Sequence, residues 1–221
     1  MGLIDKVFVL HHKDLLDRKD LIEYRLKEES VDYEIIQEFH PNDINYEDYT
    51  PKEPNFPNIT ITHPYGVYEN FFKKITISEL SLYLKHKYCF EKQIEEGYET
   101  ILILEDDAKI PYNFLTTLNN QLTELDEKNG DVLMMGECFN FKSKVNNGSY
   151  IDYDELNRTR CTHAILYKLD ATKKIYPHIN NITLPIDFKL NEIFQLEQIK
   201  VFWSKESIEQ NNIFVSKIEK L

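Results

Sequence analysis

The sequence predicts an α/β fold with a mostly parallel central sheet flanked by helices. Three observations point there. Strand-like apolar runs alternate with helix-period segments along the chain, the pattern of βαβ units. Thr76–Glu96 carries its own helix start and stop signals: Thr76 and Glu79 at capping-box spacing, and Gly97 placed to end it. Thr100–Asp107 (TILILEDD) is a short aliphatic run, read as a buried strand, and it ends abruptly in Glu105, Asp106 and Asp107.

The elements follow in order. Lys6–His12 (KVFVLHH) reads as a first strand. Leu15–Glu29 places Leu15, Leu16, Ile22 and Leu26 at helical spacing with dense charge between them, so it is an amphipathic helix. Tyr33–Phe39 is a second strand. Pro41 to Pro64 contains five prolines among Asn, Asp and Tyr, which predicts a long irregular segment, extending to about residue 75. After the capped helix and the TILILEDD strand comes a helix from about Tyr112 to Lys128, closed by Asn129-Gly130. Asp131–Glu137 (DVLMMGE) is another buried strand. Residues 139–161 are polar and read as a loop. Thr162–Lys168 is a strand, Asp170–His178 a short helix, Asp187–Gln198 a helix, and Lys200–Ser204 a last strand.

A chain of 221 residues can bury a sizeable core and fits one domain over 1–221. Its 42% hydrophobic and 29% charged content is that of a soluble globular protein. A net charge of -12 argues against general nucleic-acid binding and against docking on anionic lipid, both of which need a basic footprint. No apolar run reaches a membrane span, and the N-terminus is charged too early for a signal peptide. The three cysteines, Cys89, Cys138 and Cys161, are odd in number and widely spaced, which favours reduced thiols. Together these predict a cytoplasmic protein, or a domain excised from a longer chain.

The chemistry centres on the acidic trio. Three anions at the end of a buried strand repel each other unless something cationic sits among them. The commonest solution is a divalent metal holding a phosphate-bearing substrate. In α/β sheets, ligands bind outside the carboxyl ends of strands, where the trio lies. Alternate residues of an extended strand end share a side, so Glu105 and Asp107 point together and Asp106 apart.

The segment from Lys74 to Ile110, KITISELSLYLKHKYCFEKQIEEGYETILILEDDAKI, resembles glycosyltransferase family 25, the lipooligosaccharide-type and collagen-type galactosyl- and glucosyltransferases. The shared features are a helix opening with Thr/Ser-x-x-Glu, a Ser-His pair, a Gly-aromatic turn and a strand ending in Glu-Asp-Asp. VFVLHHKDLLDRKDLIEYRL resembles the family's opening strand, Arg-bearing turn and first helix. THAILYKLDATKKI resembles a later strand with its Ala-bearing helix, and LPIDFKLNEIF a Pro-x-Asp element near the end. The resemblance implies a GT-A, Rossmann-like fold, a UDP-sugar donor, and Mn²⁺ or Mg²⁺ offsetting the charge of the departing diphosphate.

On this reading Asp107 is a direct metal ligand, and Glu105 belongs to the metal shell or the ribose. Asp106 faces the donor sugar or orients a donor-binding Lys or Arg. The resemblance gives Arg18 a part in positioning the nucleotide, a task that suits a guanidinium fork. His86 matches the His of the Ser-His pair, but Lys85 stands in place of the Ser. His86 is therefore either a donor or metal contact or a satisfied helix histidine. His163 contacts donor phosphate or acceptor, or is a hydrogen-bonded core histidine. His11 and His12 replace the family's Asn-Leu; His12 is the candidate to line the nucleotide pocket, and two adjacent His on a strand make a poor metal pair.

Family members of this kind mostly invert the anomeric centre, which needs a carboxylate base for the acceptor hydroxyl. Asp187 is the first candidate and Glu137 the alternative, while Asp187 has a rival reading as a helix N-cap. Trp203 is either a sugar platform or core. The acceptor is then a glycan or a protein hydroxyl. A nucleotidyltransferase would show a Gly-rich loop after the first strand, and this chain has 6 Gly with none clustered there. An aspartyl-phosphate phosphohydrolase would want Asp-x-Asp near that strand, which instead ends in His-His. The remaining alternative is a catalytically degenerate transferase fold used as a binding or scaffold module.

Overall fold

The computed structural model describes residues 4–49, 60–63, 66–69, 75–136, 150–153 and 161–211, with backbone alone for 60–63, 66–69, 152 and 153. The chain order is β1 (Lys6–Leu10), α1 (Leu16–Glu28), β2 (Tyr33–Ile36), two short 3₁₀ turns at Pro41–Asp43 and Tyr46–Asp48, β3 (Thr60–His63), β4 (Gly66–Glu69) and α2 (Ile77–Glu96). Then come β5 (Thr100–Glu105), β6 (Ala108–Lys109), α3 (Phe114–Glu127), β7 (Val132–Gly136), β8 (Ile151–Tyr153), β9 (Ala164–Lys168), α4 (Leu169–Ile179), α5 (Ile186–Leu196) and β10 (Val201–Gln210).

The main sheet runs β2-β1-β5-β9-β7-β10-β6, with β8 pairing β10 off this path, and β3 and β4 form a separate hairpin. Strand β5 shows how the sheet divides the molecule. Ile101 and Ile103 point into one core with Leu80, Tyr83, Phe90, Ile175 and Leu190 of α2, α4 and α5. Leu102 and Leu104 point into the other with Ile22 and Leu26 of α1 and Phe114, Leu118 and Leu122 of α3. A period of two along the strand thus builds two cores from one segment. Each such side chain, fully buried, contributes roughly 1.5–3 kcal/mol.

Helix α2 is the brace of the first core. Its capping box is complete: Glu79 Oε2 accepts from the Thr76 backbone N–H at 2.8 Å, and Thr76 Oγ1 accepts from the Glu79 N–H at 3.2 Å. Gly97 ends the helix at φ +71°, a left-handed position that suits a residue without Cβ. Buried Gln93 ties α2 to its neighbours, donating to Tyr98 O and Tyr167 O and accepting from Thr172 Oγ1 at 2.5 Å.

The α/β class holds, but the sheet is mixed rather than mostly parallel. β1 is parallel to β2 and β5, and β10 to β7, whereas β9 runs antiparallel to both β5 and β7. The reason is visible in the chain. β8 lies between β7 and β9, and since it runs antiparallel to β10 while β10 is parallel to β7, the chain has reversed direction by β8, and β9 keeps the reversed direction. Five strands among the described residues exceed the sequence reading. β8 lies within the segment expected to be loop, β6 is a two-residue strand, and β10 continues six residues past Ser204 to Gln210 through an irregular register between Trp203 and Ile208. The β3–β4 hairpin falls in the Pro-rich segment read as irregular.

Cys161 is disulfide-bonded, against the expectation of reduced thiols, while Cys89 is free and buried. Cys138 lies outside the described residues. Among the described residues no helix is long and apolar enough to cross a membrane.

Candidate active site

Parallel pairing of β1 and β5 sets Leu10 against Glu105, so both strands end at the same edge. Antiparallel β9 brings its start to that edge too, with the Glu105 N–H donating to His163 O at 2.9 Å. A cleft of about 680 Å³, open solvent included, lies there. It is lined by His11, His12, Arg18, Glu105, Asp106 and Asp107 and, from α2, by Ser78, Ser81, Leu82 and Lys85.

The three carboxylates have three different environments. Asp106 is buried and fully engaged. Its Oδ2 takes His11 Nδ1 at 2.9 Å and the His12 N–H at 3.0 Å, and its Oδ1 takes Arg18 Nη1 at 2.9 Å. Burial alone would push its pKa up, but these hydrogen bonds and the Arg18 charge outweigh it and hold the carboxyl low. Asp107 Oδ2 accepts from the same Arg18 Nη1 at 3.0 Å, while Oδ1 is buried with no hydrogen-bond partner. Burial raises the Asp107 pKa against the opposing pull of Arg18. Glu105 Oε1 accepts from Thr162 Oγ1 at 2.8 Å. Burial first, then the charges of Asp107, Asp106 and Asp187, push its pKa up to about 8.

Arg18 therefore supplies part of the cation that the acidic trio demanded, and Asp106 is consumed in holding it. Glu105 and Asp107 remain under-compensated: burial first, and neighbouring carboxylate charge after it, raise both. An orphaned buried carboxylate oxygen beside a second hard oxygen donor fits a divalent cation such as Mn²⁺ or Mg²⁺.

The remaining candidates fall at varied distances from this centre. His12 lines the cleft, and its pKa is lowered by burial and by neighbouring His40. It forms a second potential ligand group with Asp14 and His40, one ligand atom from each lying within 4.8 Å of the others. His11 and His12, just past the end of β1, diverge: one serves Asp106, while the other packs edge-on against His40 at 4.5 Å. His163 sits behind Asp107, its buried ring bonded through Nε2 to Ile208 O at 2.8 Å. Asp187 sits in the first turn of α5, whose N-cap is Pro185, and its Oδ1 accepts from the Phe188 N–H at 2.9 Å. Its charge is felt at Glu105.

His86 is apart from the cleft lining. It is buried against Phe90, neither ring nitrogen has a hydrogen-bond partner, and burial pulls its pKa down to about 3, which keeps it neutral. Trp203 is buried in the first core. Glu137 lies outside the described residues.

Thr162 and Lys85 are the cleft-edge residues that sequence reasoning assigned no role. Thr162 precedes His163 in the quoted THAILYK run, and only the β5–β9 pairing reveals that it meets Glu105. The His12–Asp14–His40 group was equally hidden, since His40 arrives from the far side of β2.

The mixed α/β sheet thus brings paired carboxylates and a guanidinium together at a strand-end cleft. The comparisons make the class definite. A family model described as glycosyltransferase family 25 (LPS biosynthesis protein) matches residues 4–190. The chain belongs to glycosyltransferase family 25 and is a glycosyltransferase. No curated protein matches it in sequence. Among solved structures, a glycosyltransferase involved in the glycosylation of the major capsid of PBCV-1 superposes with a TM-score of 0.49 at 11% identity, covering 97% of this chain and 95% of that one. The family assignment rests on the family match alone.

Proposed function

We propose that this enzyme is a one-domain GT-A transferase spanning 1–221. It moves galactose or glucose from a UDP-sugar to the hydroxyl of a glycan or protein acceptor, with inversion. The observation that carries this reading is the pairing of Glu105 with Asp107, whose buried Oδ1 has no partner, at the floor of a cleft that Arg18 and Lys85 also line. Glu105 and Asp107 would hold the divalent cation, which when bound offsets the charge of the departing diphosphate. Arg18, fixed by Asp106, orients the donor from the β1 side of the cleft.

Asp187 is the proposed base. The acceptor oxygen attacks the anomeric carbon, its proton passes to the Asp187 carboxylate, and the bond to the diphosphate breaks with its electron pair leaving on UDP. Glu137 is the alternative base.

A panel of UDP-sugars with and without Mn²⁺, scored by UDP release from wild type and Asp107→Ala, tests the reading. Mn²⁺-dependent release from one donor, lost in the variant, is the expected result. No release from any donor, together with no metal-dependent UDP binding by calorimetry, would refute it and leave a degenerate binding module.

A further inference from the structure

Lys85 is the second basic side chain of the cleft lining. It lies in the interior of α2, one turn after Ser81, and it lines the cleft with 4% of its surface exposed. Its ammonium donates to His11 O at 2.6 Å, at the end of β1. That acceptor is a neutral carbonyl, and an ammonium has three donors. Among the described residues no carboxylate oxygen comes within ion-pair distance of Lys85, although Asp106, Glu38 and Glu105 are near enough for their charge to be felt.

The other lining cation is differently placed. Arg18 Nη1 is engaged by both Asp106 and Asp107. The lining thus contains three carboxylates and two formal cations, of which one is bound to carboxylates and one is not. A buried ammonium with a single neutral acceptor is under-compensated, and the missing partner is an anion. Lysine serves as a compact point charge for phosphate, without the geometric demands of arginine.

We infer that Lys85 is a phosphate-binding residue of this transferase, contacting the donor's diphosphate from the α2 wall of the cleft. The inference rests on the nucleotide-sugar reading above and adds one contact to it. It makes the diphosphate, rather than the base or the sugar, the part of the donor that this side chain recognises. Burial lowers the Lys85 pKa to about 8, so the amine remains predominantly protonated at neutral pH.

The test is calorimetry with three probes at fixed excess Mg²⁺: UDP, inorganic pyrophosphate and uridine. The main variant is Lys85→Gln, which retains a donor for His11 O and removes the charge. Lys85→Ser is the second. In both, the Kd for UDP and for pyrophosphate should rise about 10- to 100-fold, as for loss of a charge-assisted contact, with uridine changed by less than about twofold. Equal weakening of all three probes would mean that Lys85 only braces α2 on β1, and the inference would fall. Unchanged pyrophosphate binding in both variants would also overturn it while leaving the UDP-sugar reading intact. Wild type that binds pyrophosphate in a Lys85-dependent way but not UDP would refute the uridine donor and keep the inference. Wild type that binds neither would end both.

Discussion

At the residue scale, the site is organised by one guanidinium. Arg18 Nη1 lies 2.9 Å from Asp106 and 3.0 Å from Asp107, all three largely buried. Removing one member of a buried ion cluster costs more than the cluster contributes, because the remaining charges lose their partner. Arg18→Met should therefore destabilise the metal-free protein by about 3 kcal/mol in urea unfolding. Asp106 keeps His11 and the His12 N–H in that variant, so the loss falls mainly on Asp107. Adding Asp107→Asn should recover more than half of it. A double variant as unstable as the sum of the two single ones would show that Arg18 stabilises through its stem rather than its charge.

At the element scale, the meeting of β7, β9 and β10 fixes the back of the site. Gly136 ends β7 directly against the His163 ring, and a Cβ there would lie 2.2 Å from Nε2. The ring is held by Ile208 O and cannot step aside without breaking that bond. Gly136→Ala should cost about 2–3 kcal/mol in thermal or urea unfolding. His163→Ala in the same chain should relieve part of it, and a fully additive pair would contradict the clash. Helix α2 makes a milder prediction. Thr76→Ala removes the capping hydroxyl and should cost about 1 kcal/mol, with no change in donor Kd. A changed donor Kd would mean that the cap also sets the position of Lys85.

These elements also show what was legible in the sequence. The capped helix α2 and the strand β5 were readable because local signals and burial agree in them: a capping box at one end, Gly97 at the other, then four aliphatic residues. Strand direction was not, because it depends on how the chain returns between Gly136 and Ala164, not on any residue within β9. The carboxylate trio and Arg18 could be found as chemistry. The division of labour among them could not, since it rests on Asp106 turning back to His11 and Arg18 while Asp107 keeps one oxygen unpartnered. Lys85 had no assigned role in the sequence, and its place in the cleft wall emerges only from the fold of α2 against β1.

At the scale of the whole molecule, the raised carboxylates couple stability to pH and to cation binding. Glu105 titrates near 8 in the folded protein against 4.5 for the free side chain, and Asp107 is shifted in the same direction. A carboxylate with a raised folded pKa binds its proton more tightly in the native state. Its contribution is fully present below the unfolded value and is lost as pH rises through the folded one. Metal-free protein should therefore lose stability between about pH 4.5 and pH 8, at up to about 1.4 kcal/mol per pH unit. Asp106 works in the opposite sense: its lowered pKa gives stability above about pH 4 that fades only in stronger acid. The two slopes occupy different pH windows and can be separated. Glu105→Gln should flatten the neutral slope and leave the acid limb in place. A divalent cation competes with those same protons, so Mn²⁺ should stabilise more at pH 8 than at pH 5, the stabilisation at pH 8 reaching about 2.7 kcal/mol at a concentration 100 times its Kd there. Melting curves in chelator and in Mn²⁺ across this range, on wild type and Glu105→Gln, measure both effects without any assay of turnover. If the slope persists in Glu105→Gln, or if Mn²⁺ stabilises equally at pH 5 and pH 8, the carboxylate pair at the end of β5 is not where the cation binds.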